Sequence, residues 1–125
     1  MVQSIKKDLP VWNINSVGEF FLQIIGKHKS EYREACLKII EARKYLFDQL
    51  CIIPYLEPIE SQANYILCKV LDRSATDLTK DLYSNHGILI KDCSNKMAIS
   101  GEFVRIAVRD LKDNKYLIDC LEALA

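Results

Sequence analysis

The hydrophobic period of this chain changes once, and that change restricts the folds open to it. Up to Leu50 the apolar residues recur three or four apart, the spacing of one helical face. Beyond Pro54 they gather in short runs of strand formers: residues 63–71 (ANYILCKVL), 87–90 (GILI) and 103–108 (FVRIAV). A chain that opens helical and then alternates short strands with short helices is an α+β layer structure. At 125 residues, half of them apolar, it can bury one core and is too short for two ordinary domains.

The punctuation refines this outline. Ser16 with Glu19 three residues on has the pattern of a capping box, and Val17, Phe20, Phe21, Ile24 and Ile25 then share a helical stripe that Gly26 ends. A second helix is expected from Ser30 to about Leu50, with Tyr32, Cys36, Ile39, Ile40, Phe47 and Leu50 three or four apart. Its length suits a spine crossing the domain, although an ordinary helical hairpin shows the same pattern. Ser74 and Asp77 cap a third helix carrying Leu78 and Leu82, which Asn85, His86 and Gly87 terminate. The last helix begins within residues 110–113 and presents Leu117, Ile118, Leu121 and Leu124. With a weaker strand over residues 53–59, the expectation is a small, mostly antiparallel or mixed sheet of three to four strands. Helices pack on one of its faces, and the long spine helix precedes it. Residues 1–15 are polar up to Pro10 and read as an incoming connector, leaving 16–125 as the domain.

Charge and thiol chemistry exclude several function classes. Seventeen basic and seventeen acidic side chains cancel, so no long-range field draws nucleic acid or an anionic membrane to the molecule, and no partner of either kind is expected. No apolar stretch approaches bilayer length, and none follows Lys6 and Lys7 as a leader would. The five cysteines, Cys36, Cys51, Cys68, Cys93 and Cys120, are odd in number and mostly lie in apolar periodic segments. They read as reduced core thiols of a cytoplasmic protein. Without a CxxC pair, and with His28 and His86 each alone, there is no ligand framework for zinc.

Candidate binding residues come from the strand-like runs. Alternation in residues 103–109 turns Val104, Ile106 and Val108 to one face and Arg105, Ala107 and Arg109 to the other. An arginine beside a small alanine leaves room for a carboxylate or phosphate to meet the guanidinium fork to fork. Arg105 is thus a candidate anion clamp, and a solvated arginine on a half-exposed strand is the alternative. Lys91, Asp92, Ser94, Asn95 and Lys96 concentrate polar groups after Ile90, as either a site or a plain polar turn. Asn64, at the head of an apolar run, either orders a neighbouring turn or holds a substrate group. No glycine-rich phosphate loop, Ser-His-Asp set or paired-carboxylate cleft can be assembled.

Three segments, in order, resemble the C-terminal part of histidinol-phosphate aminotransferases and the related threonine-phosphate decarboxylases. They are PVWNINS (residues 10–16), SQANYIL (61–67), and GILIKDCS with FVRIAVRDLKDN (from Gly87 to Asn114). The resemblance covers nearly the whole chain, and the spacing within the last pair is its most specific part. It implies the small domain of a fold-type I, pyridoxal-phosphate-dependent aminotransferase, with residues 1–15 leading in from a large cofactor domain that is missing here. By the same resemblance Arg105 grips the substrate α-carboxylate. Lys91 stands where the family commonly places a second arginine for the distal phosphate or side chain, which leaves the substrate open between an amino acid and an amino phosphate.

The resemblance puts the Schiff-base lysine, the aspartate facing the pyridinium nitrogen and the phosphate-gripping groups in the large domain. The lysine motif is not found in this chain. The domain is therefore expected to bind no pyridoxal phosphate alone, to be catalytically silent, and to meet its large domain and a second subunit in the parent enzyme. Two other readings compete. One is a stand-alone regulatory module that binds a small anion through Arg105 and Lys91; the other is a docking domain that offers the apolar face of the first helix.

Overall fold

The computed structural model describes residues 14–95 and 100–125. The chain divides into two compact units, Met1–Ala35 and Cys36–Ala125. The connector expected over residues 1–15 lies outside the described residues except for Ile14 and Asn15.

In the first unit, helix α1 spans Ser16–Ile25 and ends at Gly26, as expected. Its cap is Asn15, not Ser16: the Asn15 side-chain oxygen accepts from the Gly18 backbone N–H at 2.8 Å. Asparagine caps as well as serine, and with Asn15 extended (φ −71, ψ 162) it takes the free N–H, so Ser16 becomes the first helical residue. No residue of α1 is buried; Val17, Phe20, Phe21 and Leu22 are exposed. Helix α2 covers Lys29–Leu50, close to the expected spine.

The second unit holds the sheet. Strands β1 (Leu56–Ile59), β2 (Tyr65–Val70), β3 (Lys91–Asp92) and β4 (Phe103–Ala107) lie in the order β1-β2-β4-β3, with every neighbouring pair antiparallel. Helix α3 (Ala75–His86) connects β2 to β3, and α4 (Leu111–Glu122) follows β4. Pro58, which has no N–H to give a second partner, sits on the edge strand β1.

Alternation decides which face is buried. Ile66, Cys68 and Val70 of β2 and Val104 and Ile106 of β4 point inward and are at most 4 % exposed. They join Leu46 and Leu50 of α2, Leu78 and Leu82 of α3, and Leu117, Ile118 and Leu121 of α4 in one cluster. Fully burying each such side chain contributes about 1.5–3 kcal/mol. Asn114, the one buried polar residue among those described, ties α4 into the cluster. Its amide donates to the Arg109 carbonyl at 2.9 Å and to Ala42 of α2 at 3.4 Å, and its oxygen accepts from the Arg109 N–H at 3.0 Å. The Tyr55 hydroxyl donates to the Leu121 carbonyl at 2.7 Å, and the Arg73 guanidinium stacks 4.6 Å over the Tyr55 ring.

Two further expectations are corrected. Residues 87–90 form no strand; pairing begins at Lys91, opposite Arg105. The reason is the helix before them. Gly87 adopts the left-handed conformation (φ 66) and its N–H turns back to the Leu82 and Tyr83 carbonyls, while the Ile88 N–H also returns to Leu82. These residues therefore finish α3 before the chain can join the ladder. The cysteines also divide: Cys68, Cys93 and Cys120 are buried, but Cys36 is half-buried and Cys51 exposed. All five are free thiols. Among the described residues no helix is long and apolar enough to cross a membrane, and no cluster of His, Cys, Asp or Glu could hold a metal ion.

Replacing Gly87 by alanine should destabilise the second unit by about 1–2 kcal/mol in chemical denaturation, from left-handed strain alone, since nothing obstructs the added Cβ. A second outcome concerns alkali. Burial pushes the Tyr55 hydroxyl and the Cys68 thiol each up to about 12, from ordinary values of 10.0 and 9.0. A raised native value means that stability is fully present below about pH 9 and is lost as pH climbs to about 12. The melting temperature should fall across that window, and a Tyr55→Phe, Cys68→Val double variant should show a flatter fall from a lower starting point.

Candidate functional site

Arg105 occupies the middle of β4, and inward-pointing Val104 and Ile106 on either side of it force its side chain to the outer, solvent face. In the ladder it stands between Leu67 of β2 and Lys91 of β3, each directly opposite. Two cations facing each other across neighbouring strands repel, an arrangement destabilising by a few tenths to about 1 kcal/mol. Among the described residues the Arg105 side chain forms no ion pair or hydrogen bond. Its guanidinium carbon instead lies 5.0 Å from the centroid of the Tyr65 ring.

The acid next to Lys91 in the chain is committed elsewhere. Asp92 pairs with Val104, one residue out of phase with Lys91. One of its oxygens accepts from the Thr76 hydroxyl at 2.6 Å, and the other accepts from the Ser94 N–H at 2.8 Å and the Ser94 hydroxyl at 2.6 Å. These bonds, Ser94 first and Thr76 second, hold the Asp92 carboxyl below its ordinary range, with burial opposing weakly. The acid thus locks the turn after β3 to the first turn of α3; it also feels the Lys91 charge, but forms an ion pair with neither Lys91 nor Arg105.

Lys91 and Arg105 share a groove of about 440 Å³ with Ala107, Leu89, Ile90, Thr79 and Asp92. Ala107 is the small neighbour the sequence pointed to, and it keeps the approach to Arg105 open. The Thr79 hydroxyl in the same wall is buried without a hydrogen-bond partner among the described residues. A cleft lined by two cations, whose one acid is already bonded to Thr76 and Ser94, can take a small molecule with a negative group.

Asn64 does not line this groove. It lies one residue before β2, where its carbonyl accepts from the Val108 N–H at 2.9 Å. The neighbouring turn is ordered by other groups: the Ser61 hydroxyl accepts from the Ala63 N–H, and Arg43 donates to the Ala63 carbonyl and to Gln62. Arg109 is also accounted for, its Nε donating to Asp113 at 2.6 Å at the start of α4. Of the polar run after Ile90, Lys91 and Asp92 are ladder residues, Ser94 and Asn95 form a turn, and Lys96 lies outside the described residues. Tyr65 and Thr79 went unnoticed in the sequence. Tyr65 reaches Arg105 diagonally from the position opposite Ala107, a relation visible only once the register is known.

Comparison with known proteins places these features in a wider setting. The sequence profile of the family described as Aminotransferase class I and II matches residues 17–121. The chain is 35 % identical over 119 residues to the adenosylcobalamin biosynthesis bifunctional protein CobDQ of Leptospira interrogans, covering 93 % of this chain and 14 % of that protein. Its fold is similar to that of a decarboxylase from Sulfurospirillum multivorans, with a TM-score of 0.86 at 25 % identity over 98 % of this chain and 36 % of the other. The histidinol-phosphate aminotransferase of Clostridium acetobutylicum aligns with a TM-score of 0.84 at 28 % identity, over 96 % of this chain and 36 % of the other. The chain thus spans 14 % to 36 % of the length of these relatives.

The lowered Asp92 value carries a pH signature. Its bonds stabilise fully above the ordinary carboxylate value of 3.8, and that contribution disappears as pH falls through the lower native value. Asp92→Asn should therefore melt below wild type at neutral pH, and the two melting curves should converge on acidification below about pH 4.

Proposed function

The chain belongs to the class I and II aminotransferase family, and from that premise we propose that it is the substrate-carboxylate-binding domain of a pyridoxal-phosphate-dependent enzyme of the histidinol-phosphate aminotransferase kind. In this reading the Arg105 guanidinium meets the substrate α-carboxylate with two parallel N–H···O bonds, and the fork orients the reacting carbon. Lys91 then faces the distal group of the substrate, a side chain or a phosphate, as a point charge without a fork. Asn64, whose amide has no hydrogen bond among the described residues, is available to a substrate group outside the groove. One observation carries the reading: Arg105 is exposed and its side chain has no ion pair among the described residues, opposite a second cation, in a family whose members act on amino acids.

Pyridoxal phosphate is the cofactor of this family. When bound it supplies the electron sink for chemistry at the amino-acid α-carbon. The described residues of this chain do not fit it. The glycines with positive φ, Gly87 and Gly101, belong to separate turns and form no phosphate cradle, and Asp92 is already occupied by Thr76 and Ser94. The proposal therefore assigns the cofactor to a large domain outside this chain, and the exposed apolar residues of α1 to contact with that domain or with a second subunit. Catalysis needs both domains, and the chain by itself only recognises. Family membership weighs against a stand-alone anion-binding module.

The test is Arg105→Lys in the enzyme that joins this domain to its cofactor domain. Charge stays and the fork is lost, so KM for the amino-acid substrate should rise about ten- to a hundredfold, with the melting temperature unchanged. An unaltered KM removes Arg105 from the substrate site.

A further inference from the structure

We propose that Tyr65 is a positioning residue whose ring holds the Arg105 guanidinium in its anion-binding orientation. The proposal rests on the carboxylate-binding reading of Arg105 given above. An arginine on an open strand face can sweep through many rotamers, and an anion that binds it must first order it. Here the guanidinium already has a partner, with its carbon 5.0 Å from the Tyr65 ring centroid. A cation–π contact uses the face of the ring and no N–H donor of the guanidinium, so the N–H groups stay free to donate. A carboxylate partner would have used those donors and cancelled the charge; an aromatic ring does neither.

Register supplies the second half of the argument. Tyr65 is on β2, Lys91 is on β3, and Arg105 is on β4 between them. The ring draws the guanidinium toward β2, away from Lys91, and so keeps an interval between the two cations where an anion can sit. The ring face, and not the hydroxyl, is the working part: the Tyr65 hydroxyl makes no hydrogen bond among the described residues, and the side chain is 40 % exposed.

The test uses the 125-residue chain as wild type, Tyr65→Phe, Tyr65→Leu and Arg105→Lys, titrated with O-phospho-L-serine while the Arg105 Nε–H resonance and amide shifts are followed by NMR. Before ligand is added, the wild type and Tyr65→Phe should show the ring-current shift of the Arg105 side chain, and Tyr65→Leu should lack it. Affinity in Tyr65→Phe should match wild type, and in Tyr65→Leu it should fall about two- to fivefold with an unchanged melting temperature. If the affinity of Tyr65→Leu equals that of wild type while Arg105→Lys weakens binding, the positioning role is wrong and the carboxylate site stands. Equal losses in Tyr65→Phe and Tyr65→Leu overturn it too, since the ring alone would then not suffice. No saturable response in the wild type, or an undiminished one in Arg105→Lys, overturns the carboxylate-site reading and this proposal with it.

Discussion

The two-residue repeat of β4 is the constraint on which the rest of this structure hangs. Val104 and Ile106 are at most 1 % exposed and bind the central strand to the helical layer. A slip of one residue would expose both and bury an unpaired guanidinium, at a cost far above the stability margin of a domain this size. The same packing that builds the core therefore fixes Arg105 on the outer face, and stability and site geometry follow from one register. Lys91 enters the site through that register as well, because β3 joins the ladder directly opposite Arg105.

Electrostatics then separates what is structural from what is available. At the starts of α3 and α4 the Asp77 carboxylate accepts from the Ser74 hydroxyl and the Asp110 carboxylate from the Asp113 N–H; the Glu102 carboxylate accepts from the Ala75 N–H, and Asp92 holds the turn after β3 to α3. Arg73 and Arg109 are paired with Asp72 and Asp113. Among charges near the sheet, Lys91 and Arg105 stand apart from these local pairings. A chain with zero net charge thus sets two cations side by side on the sheet, an arrangement that in the proposed reading suits a small anion better than a polyanion.

What could be read from the residues alone follows the range of the forces involved. Helix limits are set within four residues, so α3 with its Ser74 cap and Gly87 stop, and α4 with Asp110, were expected nearly as found. The Asn15 cap was missed by a single position because asparagine and serine compete for the same N–H. Strand-like composition misled at residues 87–90, where finishing a helix took precedence over joining a sheet. Arg105 was legible because alternation is local and its small neighbour Ala107 is two residues away. The Tyr65 contact and the opposition of Lys91 were not, because both depend on pairings between segments 14 to 40 residues apart; no local pattern encodes a register.

The difference between a guanidinium and an ammonium divides the labour inside the groove. In the proposed reading a fork held by the Tyr65 ring fixes direction, so Arg105 takes a planar carboxylate at a set angle. Lys91, in the same reading, offers attraction with little directional demand and so would accept negative distal groups of different shape. In the proposed reading, recognition of the part common to all amino acids is geometric, whereas recognition of the variable part is Coulombic. A domain built this way admits a change of substrate by alteration of the β3 position alone, since Lys91 is exposed and bears on no core contact while Arg105 and its strand remain in place.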